Sequence, residues 1–376
     1  MKILIEAMGI GHYGGARTAT SALIRGLIQY NKDHEFIVLV SQPEQLLTDA
    51  PPNFRQLVVP VRNRFLSRIW AQLMLPRIVA QQRVELVHFA KNLTVGAIPV
   101  PTIVTVYDLT ILNHPEFFPS VDVLYWRAVQ PACLRSAHRI IAISNSTAED
   151  LTTFYNLPVE AIRVIYPALP VDVYPATAEA IAAVWKHHNL RENIILHVGS
   201  FAKKKNISTL LKAFALLRKT ARTDLQLVLA GSDYRKDIDL ALYETLASLK
   251  LGDAVRVLGT VPDSDLPALS SGARIVANIS LHEGFGLSAL EALACGATLL
   301  ISAGGALPEL AGDAAMVVRE ARDPWAVADA MTELLNGSVT ADRIRQRARS
   351  RAQLFSLERN ARQTLDVYCN GVSGNP

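Results

Sequence analysis

The sequence predicts an α/β protein with two doubly wound domains in series, each a parallel sheet covered by helices. Its 376 residues exceed what one hydrophobic core usually organises. Short apolar runs alternate with amphipathic segments along the whole chain, which is the pattern of parallel strands joined by helices. Prolines interrupt that alternation at residues 166–175, and it then restarts, so we predict two such units and a linker between them.

In the first half, five apolar runs rich in β-branched residues are predicted as buried strands, at 3–7, 36–40, 86–89, 102–106 and 139–143. Helical spacing of apolar residues predicts four helices between them, at 18–30, 66–82, 121–137 and 148–155. Strands that alternate with helices in this way form parallel sheets, so we expect the first domain to be Rossmann-like.

The second half repeats the pattern. Predicted strands lie at 193–198, 226–230, 256–258, 275–279, 298–301 and 315–318. Predicted helices lie at 208–219, 240–249, 286–294 and 324–336. Ligands of doubly wound sheets bind outside the carboxyl ends of the strands, so we expect the functional residues to follow strands and to face a cleft between the domains.

The composition excludes several classes of protein. Half of the residues are hydrophobic and 19% are charged, which argues against disorder. A net charge of +4 without a basic, aromatic-rich stripe argues against nucleic-acid binding. Three distant cysteines form no CxxC pair, so neither disulfides nor a zinc site are expected. Glu6 interrupts the apolar start and no apolar stretch is long enough to cross a membrane, so we predict a cytoplasmic protein.

The glycine-rich segment GIGHYGG at residues 9–15 follows the first predicted strand and precedes the first predicted helix. Glycines there let backbone amides approach a ligand, and a helix N-terminus favours an anion. The segment formally matches the dinucleotide pattern GxGxxG, but no acidic residue ends the second strand, where Ser41 and Gln42 stand. A dinucleotide would lack its ribose partner, so we predict no dinucleotide cofactor.

The segment GSFAKKKN at residues 199–206 follows the strand that opens the second half. A glycine turn and three lysines at a helix start can hold a diphosphate by charge and by amide donors. A solvated lysine run is the alternative, and it is the commoner one. The position directly after a strand favours the diphosphate interpretation for Ser200, Lys204 and Lys205.

The segment EGFGLSALE at residues 283–291 follows another predicted strand. Its carboxylates, Glu283 and Glu291, lie one before and one within the predicted helix, so they can address two ends of one polyol ligand. The glycines around Phe285 would expose backbone amides to a phosphate. Glu291 stands among alanines and leucines, and a carboxylate in apolar surroundings usually has a partner. We therefore prefer a binding site to a capped helix with two surface glutamates.

On these residues the chain resembles glycosyltransferase family 4, whose members are retaining enzymes with the two-domain GT-B fold. The hallmark of that family is a Glu, seven residues, Glu motif, which Glu283 and Glu291 match. Further matching segments follow the family's order along nearly the whole chain: YDL at 107–109, HPEFF at 114–118, AISNS at 142–146, KKN at 204–206, GTVPD at 259–263 and ALPE at 306–309. The likeness is nearest to the branch with bacterial α-mannosyltransferases for surface polysaccharide.

The resemblance implies a role for each matched residue. Glu283 would bind hydroxyls of the donor sugar, Glu291 would hold the ribose, and Lys205 would neutralise the departing diphosphate. The full implied donor site is Gly14, Gly15, Ser200, Lys204, Lys205, Val261, Glu283, Gly284, Phe285, Gly286, Leu287 and Glu291. Within it, residues 285–287 would present backbone to the sugar and diphosphate, and Val261 would lie near the base.

The resemblance also implies the domain limits and the reaction. It places an acceptor-side domain at 1–172, a nucleotide-sugar domain at 173–355, and a helix at 356–376 that crosses back to the first domain. The implied reaction is retaining hexosyl transfer with an α-linkage, from GDP-mannose to a glycan or lipid-linked acceptor, at the inner face of the plasma membrane or free in the cytoplasm. Two alternatives stay open: a UDP-sugar donor for a glucosyl-type transferase, and a non-catalytic or epimerising sugar-nucleotide-binding protein of the same fold.

Two positions depart from the family pattern. Tyr107 stands where many members have a histidine that contacts the sugar, and Ser200 stands where many have an arginine at the phosphates. The lysines must therefore supply more of the positive charge. Asp108 is assigned to positioning the acceptor or to assisting its proton, so the predicted catalytic residues are Asp108, Lys205 and Glu283.

A metal-dependent mechanism would need paired aspartates beside the donor. Asp-x-Asp segments occur at 237–239 and 263–265, but neither ends a buried strand next to the proposed site. The second lies in a turn where aspartates commonly cap helices. We therefore predict no metal cofactor.

Two basic segments have competing interpretations. Residues 62–77 combine arginines with aromatic residues, which suits a membrane-surface helix, although a core-packed helix with arginines outside is preferred. Contact with a membrane is predicted only through this part of the first domain. Residues 343–351 carry five arginines at helical spacing, and a solvated helix face is preferred to a specific anion site.

Overall fold

The computed structural model describes residues 1–8, 14–61, 64–90, 92–93, 98–170, 173–219, 224–231, 240–337 and 339–372. The chain divides into two compact units. Unit 1 comprises Met1–Ala168 together with Phe355–Pro376, and unit 2 comprises Leu169–Leu354. Each unit has its own parallel sheet and its own hydrophobic core.

Unit 1 contains a seven-stranded sheet in the order β3-β2-β1-β4-β5-β6-β7. Its strands are β1 Lys2–Glu6, β2 Glu35–Val40, β3 Phe54–Val58, β4 Leu86–Phe89, β5 Thr102–Val106, β6 Arg139–Ala142 and β7 Ile162–Val164. Its helices are α1 Gly15–Tyr30, α2 Gln45–Thr48, α3 Arg64–Gln82, α4 Thr110–Asn113, α5 Ser120–Arg135, α6 Asn145–Tyr155 and, from the C-terminal part, α15 Leu357–Val372. The inner strands are buried, as expected for a sheet covered on both faces.

Unit 2 contains a six-stranded sheet in the order β10-β9-β8-β11-β12-β13. Its strands are β8 Ile194–Val198, β9 Gln226–Ala230, β10 Val255–Gly259, β11 Ile275–Asn278, β12 Leu299–Ser302 and β13 Met316–Val318. Its helices are α7 Ala178–His188, α8 Ile207–Lys219, α9 Leu240–Leu249, α10 Leu266–Gly272, α11 Leu287–Ala294, α12 Leu307–Ala311, α13 Pro324–Leu335 and α14 Val339–Gln353.

The predicted fold class is confirmed, and every predicted strand is present within two residues at each end. Two strands were not predicted. β3 carries Arg55 and Gln56 within its run, and β7 has only three residues, so neither shows a continuous apolar pattern. Both lie at the edges of the sheet, where one side of a strand needs no apolar neighbour.

In each sheet the chain first adds strands toward one edge and then, from one point on, adds them toward the other edge. In unit 1 this point lies between β1 and β4, and in unit 2 it lies between β8 and β11. Doubly wound sheets bind ligands at such switch points, because the loops after the two central strands diverge and leave a crevice. In unit 2 the pairing of β8 with β11 covers only Ile195 with Ile275 and Leu196 with Val276.

Three further segments bear on the sequence predictions. Helix α15 packs on α1 within unit 1, where Gly26 lies against the backbone of Leu357. One face of α3 is core-packed through Ala71, Leu75 and Val79, while Leu73 is exposed. Among the described residues, no helix is both long and apolar enough to span a membrane.

The arginine-rich helix α14 is largely exposed but also holds unit 2 together. Arg345 donates to the Thr298 hydroxyl at 2.8 Å, and Arg347 pairs with Asp313. The Arg351 guanidinium donates to two backbone carbonyls at the end of α12, which removes unsatisfied acceptors there. The face is therefore solvated, and three of its arginines have structural contacts.

Candidate active site

The loop after β8 in unit 2 carries the predicted lysines. It runs from Gly199 through a 3-10 turn at Lys203–Lys205 to Asn206, which has a left-handed backbone with φ 58°. The buried Asn206 amide donates to the carbonyls of Ala321 at 2.7 Å and Ile279 at 3.3 Å. Asparagine tolerates this backbone conformation, and its side chain ties the lysine turn to the loop after β11.

The loop after β11 is held from three directions. The Leu281 amide donates to the Lys204 carbonyl at 2.7 Å, and the Ala306 amide donates to the Glu283 carbonyl at 2.9 Å. Gly305, at φ 63°, leaves no room for a side chain, because a Cβ there would lie 2.3 Å from the Glu283 carbonyl oxygen. The backbone at Glu283 is therefore fixed by its neighbours before any ligand binds.

The Lys205 ammonium and the Glu283 carboxylate form an ion pair at this switch point. Their side chains are 12% and 9% exposed, so both charges are largely withdrawn from water. Burial would raise the pKa of Glu283, but the Lys205 and Lys204 charges and hydrogen bonds from Lys205 and Ser280 hold this pKa well below its ordinary value. Glu283 is thus ionised at neutral pH and faces a cation, a combination that suits hydroxyls and phosphate together.

Glu291 lies on α11, which begins after Gly286 at φ 100°. A Cβ on Gly286 would lie 2.6 Å from Leu307, so glycine is required both for the turn and for the packing. The Glu291 carboxylate makes no hydrogen bond or ion pair with any described residue. The partner expected from the sequence is therefore absent among these residues.

The surroundings of Glu291 change its acidity. Burial, and secondarily the charge of Asp263, raise the pKa of Glu291 from 4.5 to about 7. Its side chain is partly accessible, unlike the apolar residues on either side of it. A partly accessible carboxylate without a partner is suited to accept hydrogen bonds from ligand hydroxyls, which would favour its ionised form.

The other predicted residues of unit 2 lie around these two carboxylates in the sequence and in the fold. Gly284 and Phe285 are buried between Glu283 and the start of α11, while Ser200, Lys204, Gly286, Leu287 and Val261 are partly exposed. Val261 follows β10 and precedes Asp263, whose charge acts on Glu291. The structure therefore brings the lysine turn, the Glu283 loop, α11 and the loop after β10 to one edge of the sheet.

Of the predicted residues of unit 1, Gly14 and Gly15 follow β1, one of the two strands at the switch point of its sheet, whereas Asp108 follows β5. Gly14, at φ 116°, precedes α1 and Gly15 begins it, whereas residues 9–13 lie outside the described part of the chain. The Asp108 Oδ1 accepts from the Thr110 amide at 3.1 Å. The roles of these residues toward a donor stay predictions.

Tyr107, which stands in place of the family's histidine, is anchored by two hydrogen bonds. Its hydroxyl lies 2.7 Å from the Thr20 hydroxyl on α1, and its amide donates to Asn92 at 2.7 Å. Burial raises the pKa of Tyr107 to about 12, so the phenol stays neutral. Its hydroxyl is hydrogen-bonded to α1, so it does not take the place of an imidazole at a ligand.

Of the two Asp-x-Asp segments, 237–239 lies outside the described residues. Asp265 of the second segment stands at the N-cap position of α10, but its side chain makes no capping hydrogen bond and pairs with His188 at 2.9 Å. His187, His188 and Asp265 are the one group in the described part of the chain with three candidate metal ligands within 4.8 Å of one another. Neither Glu283 nor Glu291 contributes to it.

Sequence reasoning missed three parts of this site. Gly304 and Gly305 are packed against residues 280–283, and Asn206 joins the two loops. His197 on β8 is buried within an apolar run, which gives no sign of a functional side chain. The glycine pair before ALPE was the only available signal, and its meaning depends on a contact with residues about 20 positions away.

Two family models and several curated proteins match this chain along most of its length. The family model described as glycosyl transferases group 1 matches residues 183–351, and the model described as glycosyltransferase family 4 matches residues 13–173. The O-antigen chain mannosyltransferase B of Escherichia coli is 29% identical over 370 residues, which cover 96% of this chain and 95% of that protein. The MMP alpha-(1->4)-mannosyltransferase of Mycolicibacterium hassiacum is 28% identical over 249 residues, covering 65% and 57% of the two chains.

Solved structures share the architecture. The sucrose-phosphate synthase of Thermosynechococcus elongatus superposes with a TM-score of 0.81 at 21% identity, covering 98% of each chain. Anabaena HepE, in complex with UDP-glucose, superposes with a TM-score of 0.79 at 19% identity, covering 98% of this chain and all of HepE. At these identities the likeness concerns the fold alone, whereas the two family models between them match most of the sequence. The chain therefore belongs to glycosyltransferase family 4 and is a glycosyltransferase with the GT-B fold.

Proposed function

We propose that this enzyme transfers a mannosyl residue from GDP-mannose to a hydroxyl of a glycan or lipid-linked acceptor, with an α-linkage, retention of configuration and no metal ion. The observation that supports this most is the buried Lys205–Glu283 pair at the switch point of unit 2, with Glu291, which has no partner among the described residues, on the adjoining helix. The similarity to two bacterial mannosyltransferases supports the choice of mannose.

In the proposed complex, Glu283 accepts hydrogen bonds from hydroxyls of the donor sugar and Glu291 accepts them from the ribose. Lys205, with Lys204 and the backbone of residues 285–287, stabilises negative charge on the departing diphosphate. Preorganised positive groups in a site shielded from water supply the largest such stabilisation in many enzymes. Ser200 contributes a hydroxyl there, and Val261 contacts the base.

The proton of the acceptor hydroxyl passes to an oxygen of the departing phosphate. The new glycosidic bond forms on the same face of the sugar from which the diphosphate leaves. Asp108 positions the acceptor or assists this proton transfer, and Gly14 and Gly15 serve the donor through their backbone. The proposal puts the reaction in the cytoplasm or at the inner face of the plasma membrane, with any lipid contact made through α3.

A nucleotide panel tests the donor. The unfolding temperature is measured with GDP, UDP and ADP and with their sugars, because ligand binding stabilises by about 2.7 kcal/mol at a hundredfold excess over Kd. We expect GDP and GDP-mannose to give the largest shifts. A shift confined to UDP compounds would assign a glucosyl-type donor instead.

Product analysis tests the reaction. After incubation with GDP-mannose and candidate glycan acceptors, NMR of the product reports the anomeric configuration, and EDTA tests the need for a metal. We expect an α-linked product at an unchanged rate in EDTA. Tight nucleotide binding without nucleotide release under any acceptor would refute transfer and favour a binding protein.

A further inference from the structure

His197 on β8 is a buried histidine to which the roles above assign nothing. It is 1% exposed, and its Nδ1 lies 3.0 Å from the Ala277 carbonyl oxygen. A carbonyl oxygen only accepts hydrogen bonds, so Nδ1 carries the ring proton and Nε2 carries a lone pair. The free nitrogen of the ring is therefore an acceptor.

The ring lies where the two central strands of unit 2 separate. The last paired residues of β8 and β11 are Leu196 and Val276, and His197 and Ala277 are the next residue of each strand. The imidazole thus replaces a backbone hydrogen bond at the first position where the ladder has ended. This position is at the carboxyl end of the pairing between β8 and β11.

The Nε2 atom of His197 is buried and has no hydrogen-bond partner among the described residues. Buried polar atoms in native proteins are nearly always paired, and an unpaired one at a functional site commonly awaits a ligand or a moving side chain. An acceptor needs an N–H or O–H group, so phosphate oxygens cannot satisfy it.

A hydrogen-bond donor, the Lys205 ammonium, is close by. A Cβ placed on Gly199 would lie 3.5 Å from His197 Nε2 and 3.7 Å from Lys205 Nζ, so both nitrogens border the same small space above the glycine. Burial, and then the charge of Lys205, lower the pKa of His197 to about 4, so the ring is neutral at physiological pH and can face an ammonium.

We propose that His197 is a positioning residue for Lys205, whose ammonium donates to His197 Nε2 when the donor's diphosphate is bound. The ammonium has three N–H groups, and the crevice then offers three acceptors: Glu283, a diphosphate oxygen and the imidazole. The imidazole fixes the rotation of the ammonium and directs an N–H at the diphosphate. This inference rests on the proposed function, because it requires a diphosphate at Lys205.

The test compares two substitutions that distinguish the role of His197 Nε2 from that of Nδ1. His197→Asn keeps a donor near the position of Nδ1, for the Ala277 carbonyl, and has no atom at the position of Nε2. His197→Phe removes both nitrogens and keeps the ring. Titration calorimetry measures the affinity for GDP and UDP, with GMP and UMP as controls that lack the β-phosphate.

We expect His197→Asn to weaken binding of the preferred diphosphate about tenfold, the factor that corresponds to about 1.4 kcal/mol for a hydrogen bond to a charged group. The monophosphates should lose much less. In a Lys205→Met background, His197→Asn should cause no further loss, because the group it positions is gone. A purely structural role would give the same loss in both backgrounds.

Two results would overturn the inference: diphosphate affinity of His197→Asn equal to wild type, or an equal loss with and without Lys205. Should His197→Asn fail to fold in a thermal scan, the pair His197→Gln and His197→Met replaces it, since only glutamine places an acceptor near Nε2. If the wild-type protein binds neither diphosphate, the proposed function fails and the inference falls with it, whereas binding without coupling defeats the inference alone.

Discussion

The substitution Glu291→Gln is predicted to stabilise the free enzyme at neutral pH. Burial and Asp263 raise the pKa of Glu291 from 4.5 to about 7, which means that the folded protein disfavours the ionised carboxylate. Ionisation of such a group costs about 3 kcal/mol, since one pKa unit corresponds to about 1.4 kcal/mol. Partial exposure of the side chain reduces our expectation to about 2 kcal/mol.

The sign of the pH dependence follows from proton uptake. Between pH 4.5 and 7 the folded state holds a proton at Glu291 that the unfolded state has lost, so stability falls as the pH rises through this window. Glutamine does not ionise, so the stability of the Glu291→Gln variant does not fall for this reason. Glu291→Gln should therefore match wild type near pH 4.5 and exceed it by about 2 kcal/mol at pH 8, or about 4–8 °C in Tm for a unit of this size.

The assay is urea unfolding at pH 4.5, 6, 7 and 8, with a matched control at an exposed glutamate of the same unit, Glu244→Gln on α9. The control should show no pH-dependent gain. An advantage of Glu291→Gln that is absent at pH 8, or equal at pH 4.5 and pH 8, would refute the reasoning. An absent advantage would mean that the carboxylate has a partner in solution, and a pH-independent advantage would mean that the ionisation of Glu291 is not its cause.

Three further predictions concern the surrounding structure. Gly305→Ala should destabilise unit 2 by about 1–3 kcal/mol and weaken nucleotide-sugar binding, because its Cβ would displace the Glu283 carbonyl, and calorimetry with GDP-mannose measures the loss. Tyr368→Phe should cost about 1–2 kcal/mol in urea unfolding, because it removes the 2.7 Å hydrogen bond to buried His88, and it should leave GDP affinity unchanged. Arg351→Met should destabilise unit 2 by about 1–3 kcal/mol by leaving two α12 carbonyls unpaired, whereas an equal loss from exposed Arg343→Met would contradict this explanation.

The parts of the fold that depend on local pattern were predictable from the sequence. Inner strands such as Thr102–Val106 are continuous runs of β-branched residues, and both glutamates follow from their spacing beside a helix start. The edge strand Phe54–Val58 mixes polar and apolar residues because only part of it is buried, so its pattern is ambiguous. Helix Ala178–His188 was not predicted, although its Ile181 and Trp185 stand at helical spacing and lie against Gly272.

The parts of the site that depend on tertiary contact were not predictable. Lys205 and Glu283 were each assigned to a ligand, but their pairing joins residues 78 positions apart and requires the two loops to meet at the switch point. The absence of a described partner for Glu291 and the orientation of His197 likewise depend on what surrounds each side chain. Spacing indicates which residues follow strands, whereas packing decides which of them are charged, paired or free to accept a ligand.

The most direct test of the donor site compares Glu291→Ala with Glu283→Gln in two assays on the same preparations. Thermal shift with the preferred nucleoside diphosphate reports ribose and diphosphate binding, and nucleotide release from the nucleotide-sugar reports transfer. We predict that Glu291→Ala abolishes the thermal shift, and that Glu283→Gln keeps the shift while transfer is lost. A retained shift in Glu291→Ala together with a lost shift in Glu283→Gln would contradict the assignment of the ribose to Glu291 and of the sugar to Glu283.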